Sequence, residues 1–188
     1  MLKHFEEFGK YVAIAGFKGV KIADVDGFLE TVKGHLAKNM EAQFFDAELV
    51  ATWQHLYFAV LNALNAFKNG INISKSLAVE MLLYASAQRQ IRKAMEFLGV
   101  KPHTKAIALV IIGERADDVK ATLQVLSKAV GGKRDDTALE ISREKMQIIR
   151  KVFDISDMEL EAVMKGNNMK QALIDLIIER MALLATEH

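Results

Sequence analysis

Apolar positions along this chain fall into short runs and helical stripes separated by polar punctuation. Residues 11–17, Tyr-Val-Ala-Ile-Ala-Gly-Phe, form a short β-rich run that predicts a strand. Residues 24–38 predict a helix: Asp24 or Asp26 can cap it, and Phe28, Leu29, Val32 and Leu36 make an apolar stripe. Residues 41–46 alternate around Phe44 and Phe45 and predict a second strand. Asp46 is then placed to cap a long helix over 47–69, with Leu49, Trp53, Tyr57, Val60, Leu64 and Phe67 as its buried face and Gly70 as a left-handed cap. A further helix is expected over 72–88. Its middle, Leu77-Ala-Val-Glu-Met-Leu-Leu-Tyr, is apolar nearly all round, so it is buried on several sides or offers a face to a partner. A helix over 89–98 ends at Gly99, and Pro102 sits in the break that follows. Residues 105–113 are continuously apolar with β-branched members, which predicts a central strand covered on both faces. A helix over 116–130 stops at Gly131-Gly132, and residues 138–141 read as a short edge strand.

The tail holds three helical stretches, 142–153, 157–165 and 169–184, and Ser156 with Glu159 makes a capping box. The last stretch carries Leu173, Leu176, Ile177, Arg180, Met181 and Leu184 at helical spacing and needs a surface to lie on, either its own core or a partner. Strands separated by helices give an α/β (α+β) class: a small mixed sheet packed by several helices, one compact domain. The expected division is a core over 1–141 and a C-terminal helical segment over 142–188 packed on it.

Composition narrows the function classes. The chain has 188 residues, half of them apolar, enough for a real core and too many for disorder. The net charge is +1, so no global field drives the protein onto nucleic acid or an anionic membrane, and any nucleic-acid contact comes from a local patch. There is no cysteine, hence no disulfide and no thiolate-ligated metal, which fits a reducing or hot interior, and the expected location is cytoplasmic. The apolar runs are shorter than a membrane span, and the start of the chain, MLKHFEEFGK, lacks the apolar stretch of a signal peptide.

No catalytic constellation stands out. His4, His35, His55, His103 and His188 lack metal-ligand spacing, and no cofactor fingerprint is present. Gly16-Phe-Lys-Gly19 matches the G-x-x-G of backbone-clamping RNA-binding loops, yet it follows a strand and does not join two helices, so a turn is the simpler reading. The long helix carries a second stripe, His55, Phe58, Asn62, Asn65 and Asn69, spaced by three and four. Amides and an aromatic on one side suit contact with another polar surface, or else they cap loops or face solvent.

Residues 72–93 are more informative. Asn72 or Ser74 caps a helix with Lys75 in its first turn, where a lysine opposes the helix dipole unless an anion is present. Beyond the helix comes Gln88-Arg-Gln-Ile-Arg-Lys93. Arg89 and Lys93 carry like charge four apart, and Arg92 pairs with Glu96. Glu80, inside the apolar run, is expected to be structural and paired with a basic group.

Three stretches carry a resemblance. They are Asp46-Ala-Glu-Leu-Val-Ala-Thr-Trp-Gln-His-Leu-Tyr-Phe-Ala, then Asn62-Ala-Leu-Asn-Ala-Phe, then Asn72-Ile-Ser-Lys-Ser-Leu-Ala-Val-Glu-Met-Leu-Leu-Tyr-Ala-Ser-Ala-Gln-Arg-Gln-Ile. Together with Leu176-Ile-Ile-Glu-Arg-Met-Ala-Leu-Leu in the tail, they resemble the kinase-binding small subunit of the KEOPS tRNA-modifying complex, the CGI-121/TPRKB family, in its archaeal form. The resemblance implies a non-enzymatic adaptor that needs no cofactor. Such an adaptor binds the atypical PRPK-type kinase/ATPase, reaches the threonylcarbamoyltransferase through that kinase, and recruits tRNA by its single-stranded 3′ CCA end. It makes Lys75, Arg89, Gln90, Arg92 and Lys93 the candidate tRNA contacts, with Ser74 supplying a hydroxyl and the helix amides. It assigns no kinase-contact residues. Family members often have glycine where this chain has Ala87.

Overall fold

A computed structural model describes residues 1–186. In chain order the elements are β1 (Leu2–Phe5), β2 (Lys10–Lys18), α1 (Val25–Lys33), β3 (Glu41–Asp46), α2 (Trp53–Asn69), α3 (Leu77–Ser86), α4 (Ile91–Leu98), β4 (Ala106–Gly113), α5 (Ala116–Ala129), β5 (Lys133–Arg134), α6 (Arg143–Val152), α7 (Asp157–Val163) and α8 (Met169–Leu184). Short 3-10 turns lie at Glu6–Phe8, Ala47–Leu49 and Asp136–Leu139. The class is α+β, as the pattern predicts. Contacts divide the chain into two units, each built from two segments. A sheet unit combines 1–47 with 99–138, and a helical unit combines 48–98 with the chain from Leu139 onwards.

In the sheet unit the strand order is β1-β2-β4-β3, with β5 also on β2. Every pairing is antiparallel, where the sequence left a mixed sheet expected. The register sets small residues of β2 against large ones of β4, Ala13 opposite Ile111 and Ala15 opposite Leu109. These side chains share a core with Val32 of α1 and with Val119, Leu123 and Leu126 of α5. The alternate positions Val12, Ile14, Ala108, Val110 and Ile112 are buried as well, as a central strand covered on both faces requires.

Two strands differ from expectation. β1 shows no apolar alternation, since three of its four residues are exposed, and it exists through its pairing with β2. The expected edge strand over 138–141 does not form: its first two residues end the 3-10 turn Asp136–Leu139, the next two are irregular, and the pairing is made by Lys133–Arg134. The cause is local hydrogen bonding, which competes with a ladder. The Asp135 carboxylate accepts from both the amide and the hydroxyl of Thr137, and the Asp136 carboxylate accepts from the Gly16 amide at 2.9 Å. Gly16 is explained by the same contact: a Cβ there would lie 2.8 Å from the Asp135 carbonyl oxygen. Gly19, at φ 68°, closes the turn after β2, so Gly16-Phe-Lys-Gly19 is a strand and its turn.

In the helical unit, α8 packs on α2, α3 and α7, and α6 also contacts α8. The apolar stripe of the tail thus finds its surface on α2 and α3, with Ala172, Leu173, Ile174, Leu176, Ile177, Met181 and Leu184 buried. The long helix begins later than expected, at Trp53 with Thr52 as N-cap, and Asp46 instead ends β3 and accepts from the Thr104 hydroxyl at 3.2 Å. Its buried face is rotated from the one the large residues mark out. Leu56, Ala59, Val60, Ala63, Leu64 and Ala66 are buried, while Trp53, Tyr57 and Phe67 are half-exposed. Three of the buried positions are alanines, whose size permits close packing with a neighbouring element. The Ser156–Glu159 capping box forms as expected.

Candidate functional site: the two ends of α3

Helix α3 is buried from Glu80 to Ser86, and its two ends emerge as differently built loops. At the first end, Gly70 (φ 67°) closes α2, and the chain turns through residues 71–76 before Ser76 caps α3 by accepting from the Val79 amide. Asn72 donates its side-chain amide to the Ser74 carbonyl, and the Ser74 hydroxyl accepts from the Ser76 amide. The fully buried Glu80 carboxylate reaches back along the helix and accepts from the Ile73 amide at 3.1 Å and the Ser74 amide at 2.7 Å. The partner of Glu80 is therefore the loop backbone and not a basic side chain. This corrects the anion reading in one respect: Glu80 already holds two loop amides, and Ser74 is buried, so Lys75, just before the cap, is the exposed group here.

The second end is a sharp corner. The Ala87 amide donates to the Tyr84 carbonyl and the Gln88 amide to the Leu83 carbonyl, the double closure of a Schellman motif. Ala87 takes the left-handed conformation this requires, φ 50°, although it is not a glycine. Arg89 and Gln90 follow in the bend before α4, Arg92 and Lys93 lie on its first turn, and all four are exposed. Arg92 pairs with Glu96 at 3.3 Å, an exposed pair worth little energetically. The structure thus brings Arg89, Gln90, Arg92 and Lys93 together. Lys75 stands at the far end of α3, about 15 Å away along a ten-residue helix.

The amide-rich stripe of α2 is only partly a surface. Asn69 is exposed, and Phe58, Asn62 and Asn65 are half-buried. His55 is not on it at all: it is fully buried. Its Nδ1 accepts from the Ala51 amide at 3.2 Å, so Nε2 carries the proton and donates to the Ala85 carbonyl at 2.7 Å. The ring meets Phe153 edge-on at 5.8 Å. Burial pushes the imidazole down to about 4, against the smaller opposing effect of the Ala85 carbonyl. His55 is misplaced by spacing arguments because it flanks the alanine face, where the side toward solvent is decided by neighbouring helices.

A cleft of about 340 Å³ opens beside the Ala87 corner, lined among others by Gln88, Phe97, Phe153, Asp154, Arg180 and Leu183. Arg180 is fixed there by donating to the Asp154 carbonyl and to Glu159, each at 2.9 Å. Apart from Arg180, which reads as one more member of a helical stripe, these positions carry no sequence signal, because they come from four separate stretches of chain. Among the described residues, no group of three or more His, Cys, Asp or Glu side chains is placed to hold a metal ion, and no helix is long and apolar enough to cross a membrane. His188 lies outside the described residues.

Comparison with known proteins places this architecture. The regulatory protein Cgi121 of Methanocaldococcus jannaschii is 31% identical over 145 residues, which cover 77% of this chain and 83% of that protein. The family model described as kinase binding protein CGI-121 matches residues 17–185, which include both ends of α3, the cleft and α8. With a match from β2 to the end of α8, this chain belongs to the CGI-121 family of kinase-binding proteins.

Proposed function

We propose that this protein is a non-catalytic cytoplasmic adaptor of an archaeal KEOPS assembly. In this reading it binds the PRPK-type kinase/ATPase, reaches the threonylcarbamoyltransferase through it, and recruits tRNA by the 3′ CCA end for threonylcarbamoyladenosine formation next to the anticodon. Membership of a family named for kinase binding supports the protein partner. The observation that carries the RNA side is the corner after α3, where Arg89, Arg92 and Lys93 stand exposed on a backbone pinned by a Schellman closure. Cations on a fixed corner suit a single-stranded end, which offers phosphates and unpaired base edges together.

A second reading keeps the kinase contact and drops the tRNA contact. It is favoured by the near-neutral charge of the chain and by Glu80, whose carboxylate holds the amides that an anion would use at the first end of α3. Binding of fluorescent tRNA, intact or stripped of its CCA end, at two salt concentrations separates the two. The adaptor reading expects binding that needs the CCA end and weakens steeply with salt, because phosphate contacts release counterions. Binding to neither tRNA, with the kinase still captured, would leave the interaction module.

A further inference from the structure

A fully buried histidine, His55, is bonded to the end of α3. An apolar residue would fill its space without giving up hydration, so what the ring bonds is what its polarity contributes. The two bonds differ in reach. Nδ1 accepts from the Ala51 amide, four residues back in its own segment, whereas Nε2 donates to the Ala85 carbonyl, 30 residues away on another helix.

The second bond falls where α3 needs one. The last four carbonyls of an α-helix have no partner within the helix, and here they belong to Leu83, Tyr84, Ala85 and Ser86. The Schellman closure takes the first two through the Gln88 and Ala87 amides, and the Ser86 hydroxyl adds a bond to the Leu83 carbonyl at 3.1 Å. The Ala85 carbonyl lies beyond that closure and is met by His55 at 2.7 Å. His55 therefore acts as a C-cap supplied by a different helix.

Ala87 makes the cap consequential. A non-glycine residue stays in the left-handed region only where its surroundings over-determine it. Ala87 stands there at φ 50°, two residues past Ala85. The Schellman bonds hold it from within the chain, and His55 holds the turn just before it. Phe153, at the end of α6, meets the imidazole edge-on at 5.8 Å. The opposite end of α3 is held separately, by Glu80 on the Ile73 and Ser74 amides.

We infer that His55 is the positioning residue of the α3–α4 corner: by taking the Ala85 carbonyl it keeps Ala87 left-handed and so fixes where Arg89, Arg92 and Lys93 stand, without touching a ligand itself. The inference rests on the tRNA-recruiting reading above.

Two full-chain variants separate the two bonds. In His55→Gln the carboxamide reaches the place of Nε2 and can donate to Ala85. In His55→Asn it stops at the place of Nδ1 and meets only Ala51. Melting curves set a temperature at which each variant is fully folded. At that temperature two quantities are read: hydrogen exchange of the Ala87 and Gln88 amides against those of Ile73 and Ser74, and affinity for fluorescent tRNA. In His55→Asn, exchange should speed about tenfold at the corner and stay unchanged at the Glu80 end, and tRNA affinity should fall about fivefold with kinase capture intact, in line with one lost hydrogen bond. His55→Gln should stay within about twofold of the wild type on both readings. Adding Ala87→Gly to His55→Asn should bring tRNA affinity back to within about twofold, because glycine adopts the left-handed region without being held there. Should His55→Asn not fold, His55→Phe, which refills the space and makes neither bond, takes its place. Exchange that quickens equally at both ends, full tRNA affinity in His55→Asn, or equal losses in the Gln and Asn variants would make His55 a packing residue only, and the proposal would fall alone. A wild type that binds no tRNA would bring down the tRNA reading itself, and this proposal with it.

Discussion

Two residues carry local costs that single substitutions can expose. Ala87 sits at φ 50°, where a Cβ is penalised by about 1–2 kcal/mol, so Ala87→Gly should stabilise the folded protein by about 0.5–1 kcal/mol after the greater freedom of glycine in the unfolded chain is subtracted. Thermal denaturation should show a rise of about 1–4 °C, and a fall would mean that the Ala87 methyl packs better than its backbone suffers. His55 behaves in the opposite sense to a surface histidine. Its pKa is lowered from 6.5 to about 4 in the fold, chiefly by burial, so the unfolded chain binds the proton more readily. The stability it contributes is complete above about pH 6.5 and is lost as pH falls toward 4, amounting to about 3 kcal/mol over that window. The ring faces the Ala51 amide, the Ala85 carbonyl and Phe153, and the charge of Lys145 disfavours protonation further. His55→Gln keeps a donor and an acceptor but no titration, so its melting temperature should fall less than that of the wild type between pH 6.5 and 4. Parallel pH profiles would show that carboxylates elsewhere dominate.

At the scale of elements, α8 is the clearest case of a helix that needs the rest of the unit. Seven of its residues are buried, and its contacts are with α2, α3, α6 and α7. Truncation after Gly166 should uncover the apolar side of α2 and α3 and lower the melting temperature by well over 10 °C or abolish cooperative unfolding, since each buried Leu or Ile is worth about 1.5–3 kcal/mol. An unchanged melting curve would reassign α8 to an interface. This helix was legible in the sequence because Leu173, Ile177 and Leu184 repeat at helical spacing, and β4 because an eight-residue β-branched run has few other fates. β1 was not, because Leu2–Phe5 has no pattern of its own and is held by the partner strand. The inner face of α2 was misread for a different reason: size was taken as the mark of burial, whereas close helix packing selected Ala59, Ala63 and Ala66.

At the scale of the molecule, the candidate tRNA contacts lie where the two ends of α3 leave the interior. Lys75→Ala combined with Arg89→Ala should weaken tRNA binding about 10-fold or more and reduce its salt slope by about 2, while folding and capture of the kinase stay unchanged. Full tRNA affinity in the double variant would move the contact elsewhere. The basic residues of this site were readable because local charge patterning survives in one dimension. The cleft beside them was not, because Gln88, Phe97, Phe153, Asp154, Arg180 and Leu183 meet only after α3, α4, α6 and α8 have packed. That both units are stitched from separated stretches of chain has a consequence for synthesis. The strands β1 to β3 emerge from the ribosome long before β4, the strand that joins β2 to β3, and α2 to α4 wait longer still for α8. The sheet unit is whole only once residue 138 has been made, and the helical unit later still, so neither is a single early stretch that folds as it emerges. Until α8 is made, the part of α3 that packs on it stays uncovered in the nascent chain, which makes that helix the step that removes an aggregation-prone surface.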